Sequence, residues 1–255
     1  MKVVLLAGGL GTRLSEETDN KPKPLVEVGG HPLLWHIMKY YRVFGFREFL
    51  VALGYKGEMV KKYFADYLKY HRDLSIDLAG GEVVASSRAA EDWRIELVGT
   101  GLNTYTGGRI KRLEPMLSGQ RFMVTYGDGV SDIDLEKLLE HHLEAGKIGT
   151  VTAVRPPARF GGIVFEGNLV SEFTEKSQIG EGWINGGFMV FEPEVFDYIR
   201  GDETSLEAHV LENLSGEGQL SAYRHHGFWQ CVDTLRDLKL LNSMWDQGSP
   251  PWRAW

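Results

Sequence analysis

The first fourteen residues, MKVVLLAGGLGTRL, limit the fold more than any other stretch. Residues 2–7 are an almost unbroken apolar run rich in valine, the pattern of a strand covered on both faces. The run exits through Gly8, Gly9 and Gly11, which permit a sharp turn and a close approach of backbone N–H groups to a bound group. A strand buried on both sides requires a layer above and a layer below. Residues 31–44 supply a first candidate: apolar side chains at Leu33, Leu34, Ile37, Met38, Tyr41 and Phe44, with Pro32 at the start and Gly45 past the end, predict a helix. Residues 49–53, 121–126 and 148–154 read as further strands, and residues 58–68 and 135–145 as further helices. Strands alternating with helices predict an α/β fold with a doubly wound, mostly parallel, Rossmann-like sheet.

Two stretches interrupt the alternation. Residues 74–98 alternate as short strands around Ala79, Gly80 and Gly81, which predicts an antiparallel hairpin flap. Residues 161–191 hold three short strands separated by glycines and predict a small mixed β subdomain beside the main sheet. A C-terminal helix and tail follow over residues 233–255. The last nine residues contain Pro250, Pro251 and two tryptophans, and read as docked, for example on a neighbouring subunit. The length of 255 residues suits one domain with a substantial core.

Charge and composition narrow the function. A net charge of −7 argues against general nucleic-acid binding, which needs a cationic face. No run of about 18 apolar residues occurs, and the opening run is too short for a secretion signal. The single cysteine, Cys231, fits a reducing compartment, so a cytoplasmic protein is expected. Any polyanion must then meet a local cluster of cations. GGLGTRL followed by KPKPL is the densest one: Arg13 offers a bidentate fork, and Lys23 a point charge on a stiff segment between Pro22 and Pro24. The loop lacks the third glycine of a dinucleotide fingerprint, since Leu14 stands there, and lacks the Gly-Lys-Ser/Thr ending of a Walker A loop.

Ligands of open parallel sheets bind beyond the carboxyl ends of the strands, where the glycine loop and Gly127-Asp128-Gly129 both lie. Asp128 reads either as a turn residue or as a ligand for Mg²⁺, which takes one or two carboxylates plus phosphate oxygens and water. Asp233, ahead of the apolar spacing Leu235, Leu238, Leu241 and Trp245, reads either as a helix N-cap or as the second carboxylate. The pairs His141-His142 and His225-His226 are adjacent and so point apart, which argues against zinc. Cys231 reads as core rather than as a nucleophile.

GGLGTRL with PKPL resembles the signature of the sugar-1-phosphate nucleotidyltransferases, also called nucleotide-sugar pyrophosphorylases. GYKG, TGGRIKR, TYGDGVSD, RPPARFGG, WINGGFMVF, GFWQCVDTLRD and PPWRAW extend the resemblance from end to end, toward the cytidylyl-transferring branch. The resemblance implies CTP and glucose 1-phosphate as substrates, CDP-glucose and pyrophosphate as products, Mg²⁺ as cofactor, and a homo-oligomer. It places Leu6, Ala7, Gly8, Gly9, Gly11, Thr12 and Arg13 around the nucleotide, with Arg13 on the departing phosphates. Lys23 would bridge the α-phosphate and the sugar phosphate, making Arg13 and Lys23 the catalytic pair. Thr104 and Arg109 would line the nucleotide pocket, and Gly127 would support the ribose. Asp128 and Asp233 would hold Mg²⁺, while Glu175, Lys176, Asn185 and Gly186 would meet the sugar phosphate.

The implied chemistry explains the residue types. Two like charges about 4 Å apart cost about 4 kcal/mol at an effective dielectric near 20, so two polyphosphates meet only among cations. The attacking phosphate oxygen is already ionised, so no general base or covalent nucleophile is expected. Base choice among CTP, dTTP, UTP and GTP is not encoded in the loop. A regulatory or binding subunit without catalysis would be expected to have replaced Arg13, Lys23 or one of the aspartates, and all are present.

Overall fold

A computed structural model describes residues 1–11, 20–85, 91–117, 119–156, 162–174 and 182–255. Strand β1 (Val3–Ala7) leads through the glycines and the Lys23–Leu25 turn to helix α1 (Leu33–Val43). Strand β2 (Glu48–Leu53), helix α2 (Gly57–Tyr70), the hairpin β3 (Leu74–Asp77) and β4 (Glu82–Ala85), and strand β5 (Arg94–Gly99) come next. Helix α3 (Thr106–Leu117), strands β6 (Phe122–Tyr126) and β7 (Gly129–Ser131), helix α4 (Leu135–Ala145) and strand β8 (Gly149–Val154) follow. The remainder holds strands β9 (Gly162–Glu166), β10 (Leu169–Thr174), β11 (Ile184–Asn185), β12 (Met189–Phe191), β13 (Leu220–Arg224) and β14 (Trp229–Cys231), then helix α5 (Leu235–Asp246).

The main sheet runs β11-β8-β12-β6-β1-β2-β5, with β13 on β8. One half, β6-β1-β2-β5, is parallel throughout, and β12 then joins β6 antiparallel. Alternation within β1 explains the two layers. Val3, Leu5 and Ala7 enter one core with Leu33, Leu34, Ile37, Met38, Met123, Leu135 and Leu138, while Val4 and Leu6 enter the other with Ile110, Leu113, Phe122, Val124 and Val210. Both faces of β1 are thus covered, as the apolar run requires. The aromatic side chains of Trp35, Tyr40 and Tyr41 are buried in the first core's helix. Among the described residues no helix is long and apolar enough to cross a membrane.

Several expected boundaries change. The flap is only the β3–β4 hairpin. Arg94–Gly99 leaves it to pair parallel with β2, and its half-buried edge position produces the same alternation as a hairpin strand. The expected mixed subdomain divides: β9 and β10 pair only with each other among the described residues, whereas β11 and β12 enter the main sheet. Helix α1 begins at Leu33 because His31–Pro32 pair with Glu27–Val28. Helix α3 was not legible, since Gly107, Gly108 and Pro115 interrupt its pattern. Those glycines serve packing: a Cβ on Gly107 would lie 2.8 Å from the Thr204 carbonyl oxygen, and one on Gly108 2.6 Å from Asp202 Cα.

The tail docks on its own chain. Trp252 is buried, stacks on Phe228, and donates its indole N–H to His36 Nδ1 at 3.3 Å. His36 Nε2 donates to the Val28 carbonyl at 2.8 Å, so the neutral ring joins helix, ribbon and tail. Burial holds the His36 pKa down at about 4. A free histidine titrates near 6.5, so this contribution is complete above pH 6.5 and is lost as pH falls toward 4. We expect about 3 kcal/mol of stability to disappear across that window, read as the difference between wild-type and His36→Gln urea midpoints, which should narrow toward pH 4.

Candidate active site

Lys23 lies in a single 3-10 turn whose geometry is set by its neighbours. Pro22 and Pro24 flank it, and the Leu25 and Val26 N–H groups donate back to the Pro22 and Lys23 carbonyls. The side chain, 12% exposed, donates from Nζ to Asp128 Oδ2 and to Asp233 Oδ1, each at 2.7 Å. Burial works against its charge, but Asp128 and then Asp233 outweigh this and lift its pKa above the ordinary lysine value.

The two aspartates come together through a short ribbon. Strand β7 pairs antiparallel with β14, placing Gly129 opposite Cys231, and the Val232 N–H donates to the Asp128 carbonyl at 2.9 Å. Asp128 therefore precedes one strand of the ribbon as Asp233 leaves the other. The cap is Thr234: its hydroxyl accepts from Asp237 N, and Asp237 closes a capping box. Asp233 is thereby relieved of capping, and its carboxylate faces Lys23. The neighbouring Cys231 thiol is pushed up to about 12, chiefly by burial and then by Asp233 and Asp128, so it stays protonated.

The glycine loop is anchored by Arg109, only 4% exposed, from helix α3. Its Nη1 donates to the Gly101 carbonyl at 2.7 Å, Thr100 Oγ1 at 2.8 Å and the Leu53 carbonyl at 3.2 Å. Its Nη2 donates to the Gly8 carbonyl at 3.0 Å and the Leu102 carbonyl at 3.2 Å. One guanidinium thus ties together the segments leaving β1, β2 and β5. The fit demands glycine. A Cβ on Gly8 would lie 2.3 Å from Arg109 Nη1, and one on Gly54 would lie 2.5 Å from the Gly8 carbonyl oxygen. Gly127, 3.2 Å in the same sense from the Leu6 carbonyl and Pro24, lets β6 pass beside the lysine turn.

A cavity of about 710 Å³ opens over these strand ends. Leu6, Ala7, Gly8, Gly9, Gly11, Lys23, Thr104, Arg109, Gly127, Asp128 and Asp233 all line it. Asn185, the last residue of β11, and Gly186 after it stand outside that wall. The Asn185 amide donates to the Tyr126 hydroxyl at 3.4 Å, and the Gly186 carbonyl accepts from Trp229 Nε1 at 2.7 Å. Thr12, Arg13, Glu175 and Lys176 lie outside the described residues. The expectation that the histidine pairs point apart matches their separate partners: His141 meets Ser221, His142 meets Thr150, His225 meets Asp132, and His226 meets the Trp183 ring.

Sequence reasoning missed one wall. Tyr126, Thr106, Ser205, Glu207 and His209 also line the cavity. Glu207 accepts from the Tyr126 hydroxyl at 2.6 Å, Thr106 Oγ1 at 2.7 Å and Ser205 Oγ at 2.8 Å. Burial raises its pKa, yet these hydrogen bonds prevail and hold it below the ordinary glutamate value. Glu207 sits in a π-helical turn, Leu206–Leu211, and such turns cluster at functional sites. Nothing in the spacing of SLEAHVL announces it.

The donor set suits a hard divalent cation. Two carboxylates from separate elements already converge on one positive charge, and Mg²⁺ completes its shell with phosphate oxygens and water. Among the described residues no group of three or more His, Cys, Asp or Glu side chains is placed to hold a metal ion.

The nucleotidyl transferase family model matches residues 2–243. The chain is 46% identical over 256 aligned positions to the glucose-1-phosphate cytidylyltransferase of Salmonella typhi, covering all of both chains. It is 44% identical, again over the full length of both, to the probable glucose-1-phosphate cytidylyltransferase of Bacillus subtilis strain 168. Among solved structures, HddC from Yersinia pseudotuberculosis superposes with a TM-score of 0.71 at 22% identity, over 96% of this chain and 99% of that one. A UDP-glucose pyrophosphorylase complexed with UDP-glucose gives 0.68 at 15% identity, over 96% and 98%. These structural likenesses bear on the fold.

Proposed function

The chain belongs to the nucleotidyl transferase family, and from that premise we propose that it transfers a cytidylyl group from CTP to glucose 1-phosphate, giving CDP-glucose and pyrophosphate. The observation that carries the site assignment is the meeting of Lys23, Asp128 and Asp233 at the cavity opened by the glycine loop.

The chemistry needs little more than charge and placement. An ionised oxygen of glucose 1-phosphate attacks the α-phosphorus in line, a new P–O bond forms, and the bond to the pyrophosphate oxygen breaks. No proton need move. Backbone groups of Gly8, Gly9 and Gly11 receive the triphosphate, and Arg109 keeps that loop in place. Lys23 offsets charge on the reacting phosphates, with Arg13 assigned to the departing ones on the strength of the motif. Asp128 and Asp233 are the oxygen ligands that would hold Mg²⁺, which when bound neutralises phosphate charge. Thr104 and Gly127 are assigned to the nucleotide, and Glu175, Lys176, Asn185 and Gly186 to the sugar phosphate.

The same reading includes a cytoplasmic location, supported by the free thiol of Cys231, and self-association. The β3–β4 hairpin supplies an apolar surface for the latter in Ile76, Leu78, Val83 and Val84, all exposed.

Pyrophosphate release measured with glucose 1-phosphate and each of CTP, dTTP, UTP and GTP tests the activity. CTP should give a kcat/KM at least 10-fold above any other. Equal release with all four, or none with CTP, would overturn it.

A further inference from the structure

Lys23 has two places to be. Its ammonium lies 2.7 Å from an oxygen of Asp128 and 2.7 Å from an oxygen of Asp233, so those oxygens are at most twice that length apart around one charge. Mg²⁺ holds its oxygens at about 2.0–2.1 Å, and a metal taken by the same two carboxylates needs the space where the ammonium stands. The carboxylates are 32% and 18% exposed, too sheltered for water to screen their repulsion fully, so some cation must stand between them. The Lys23 backbone is held in its turn by Pro22, Pro24 and two hydrogen bonds, which leaves the side chain as the part that moves.

We infer, building on the activity proposed above, that Lys23 is the internal counter-ion of the metal site. It occupies Asp128 and Asp233 before substrate arrives, and yields them to the divalent cation when the nucleotide's phosphates draw its ammonium away. Metal and nucleotide binding are then coupled, each strengthening the other by the same factor. One side chain thereby serves the empty site as counter-ion and the filled site as a phosphate contact.

The test is a titration of Mn²⁺ alone into nucleotide-free protein, with free Mn²⁺ followed by electron paramagnetic resonance. Lys23→Met should bind Mn²⁺ at least 10-fold more tightly than wild-type. Lys21→Met removes a charge two residues away that pairs with Glu27 instead, and should leave the affinity within 2-fold. If Lys23→Met fails to melt cooperatively, Lys23→Gln carries the same expectation, because it keeps a donor for one carboxylate without the charge. Equal affinity in wild-type and the Lys23 variants, or equal tightening by Lys21→Met, would overturn the counter-ion role. Turnover of CTP with glucose 1-phosphate by the same wild-type sample keeps the two proposals apart. Turnover with unchanged Mn²⁺ affinity defeats the counter-ion alone, while absence of turnover defeats the activity and the titration still judges the contact.

Discussion

Replacing Lys23 by alanine should lower kcat at least 100-fold, about 2.7 kcal/mol of transition-state stabilisation. The reason is electrostatic. Charge builds between two phosphate groups as they approach, and the lysine lies 2.7 Å from each of the two carboxylates proposed to hold the metal beside them. Added Mg²⁺ should not restore the rate, because a metal on Asp128 and Asp233 cannot also stand where the ammonium meets phosphate. Pro22, Pro24 and two backbone hydrogen bonds hold the turn itself, so the fold should survive, which circular dichroism can confirm. A Lys23→Ala enzyme with wild-type kcat would remove this residue from the reaction.

An Arg109→Met substitution should lower the free energy of unfolding by about 3–5 kcal/mol. Methionine approximates the aliphatic stem of the side chain but supplies none of the five donated hydrogen bonds. The buried hydroxyl of Thr100 and the half-buried carbonyls of Gly101 and Leu102 would be left short of a donor. Lysine should recover only part of the loss, because a point ammonium cannot span the planar fork that reaches Gly8, Leu53 and Gly101 together. The expected order of urea midpoints is wild-type, then Arg109→Lys, then Arg109→Met. Turnover should fall in the same order even below the unfolding transition, since the Gly8 carbonyl is one of the tethers. A methionine variant within about 1 kcal/mol of wild-type would mean that the staple is dispensable.

These two residues illustrate different degrees of legibility. Lys23 was readable because its neighbours are local: two prolines and a cation beside a glycine loop announce a stiff segment that carries charge. Arg109 was readable only as part of the TGGR motif, which the family resemblance assigned to the nucleotide pocket. Its hydrogen bonds to Gly8, Leu53 and Leu102 join segments 7 to 101 positions away, and no spacing rule anticipates such contacts. Asp233 was ambiguous between cap and ligand. Thr234, one residue on, takes the cap, a distinction smaller than the error of any boundary drawn from periodicity. Glu207 escaped entirely, because its partners Tyr126 and Thr106 lie 81 and 101 residues away.

The amino-acid order was enough for the parallel core, the cavity at its strand ends, and the residue types that a reaction between polyphosphates demands. Those conclusions rest on short-range properties: the period of apolar residues, the freedom of glycine, the stiffness of proline and the sign of a charge. The pairing of β5 with β2, the entry of β11 and β12 into the main sheet, the docking of Trp252 on His36, and the meeting of Lys23 with two aspartates came from packing. Such contacts depend on which distant surfaces bury each other, a choice made by the whole chain at once and by no local stretch of it.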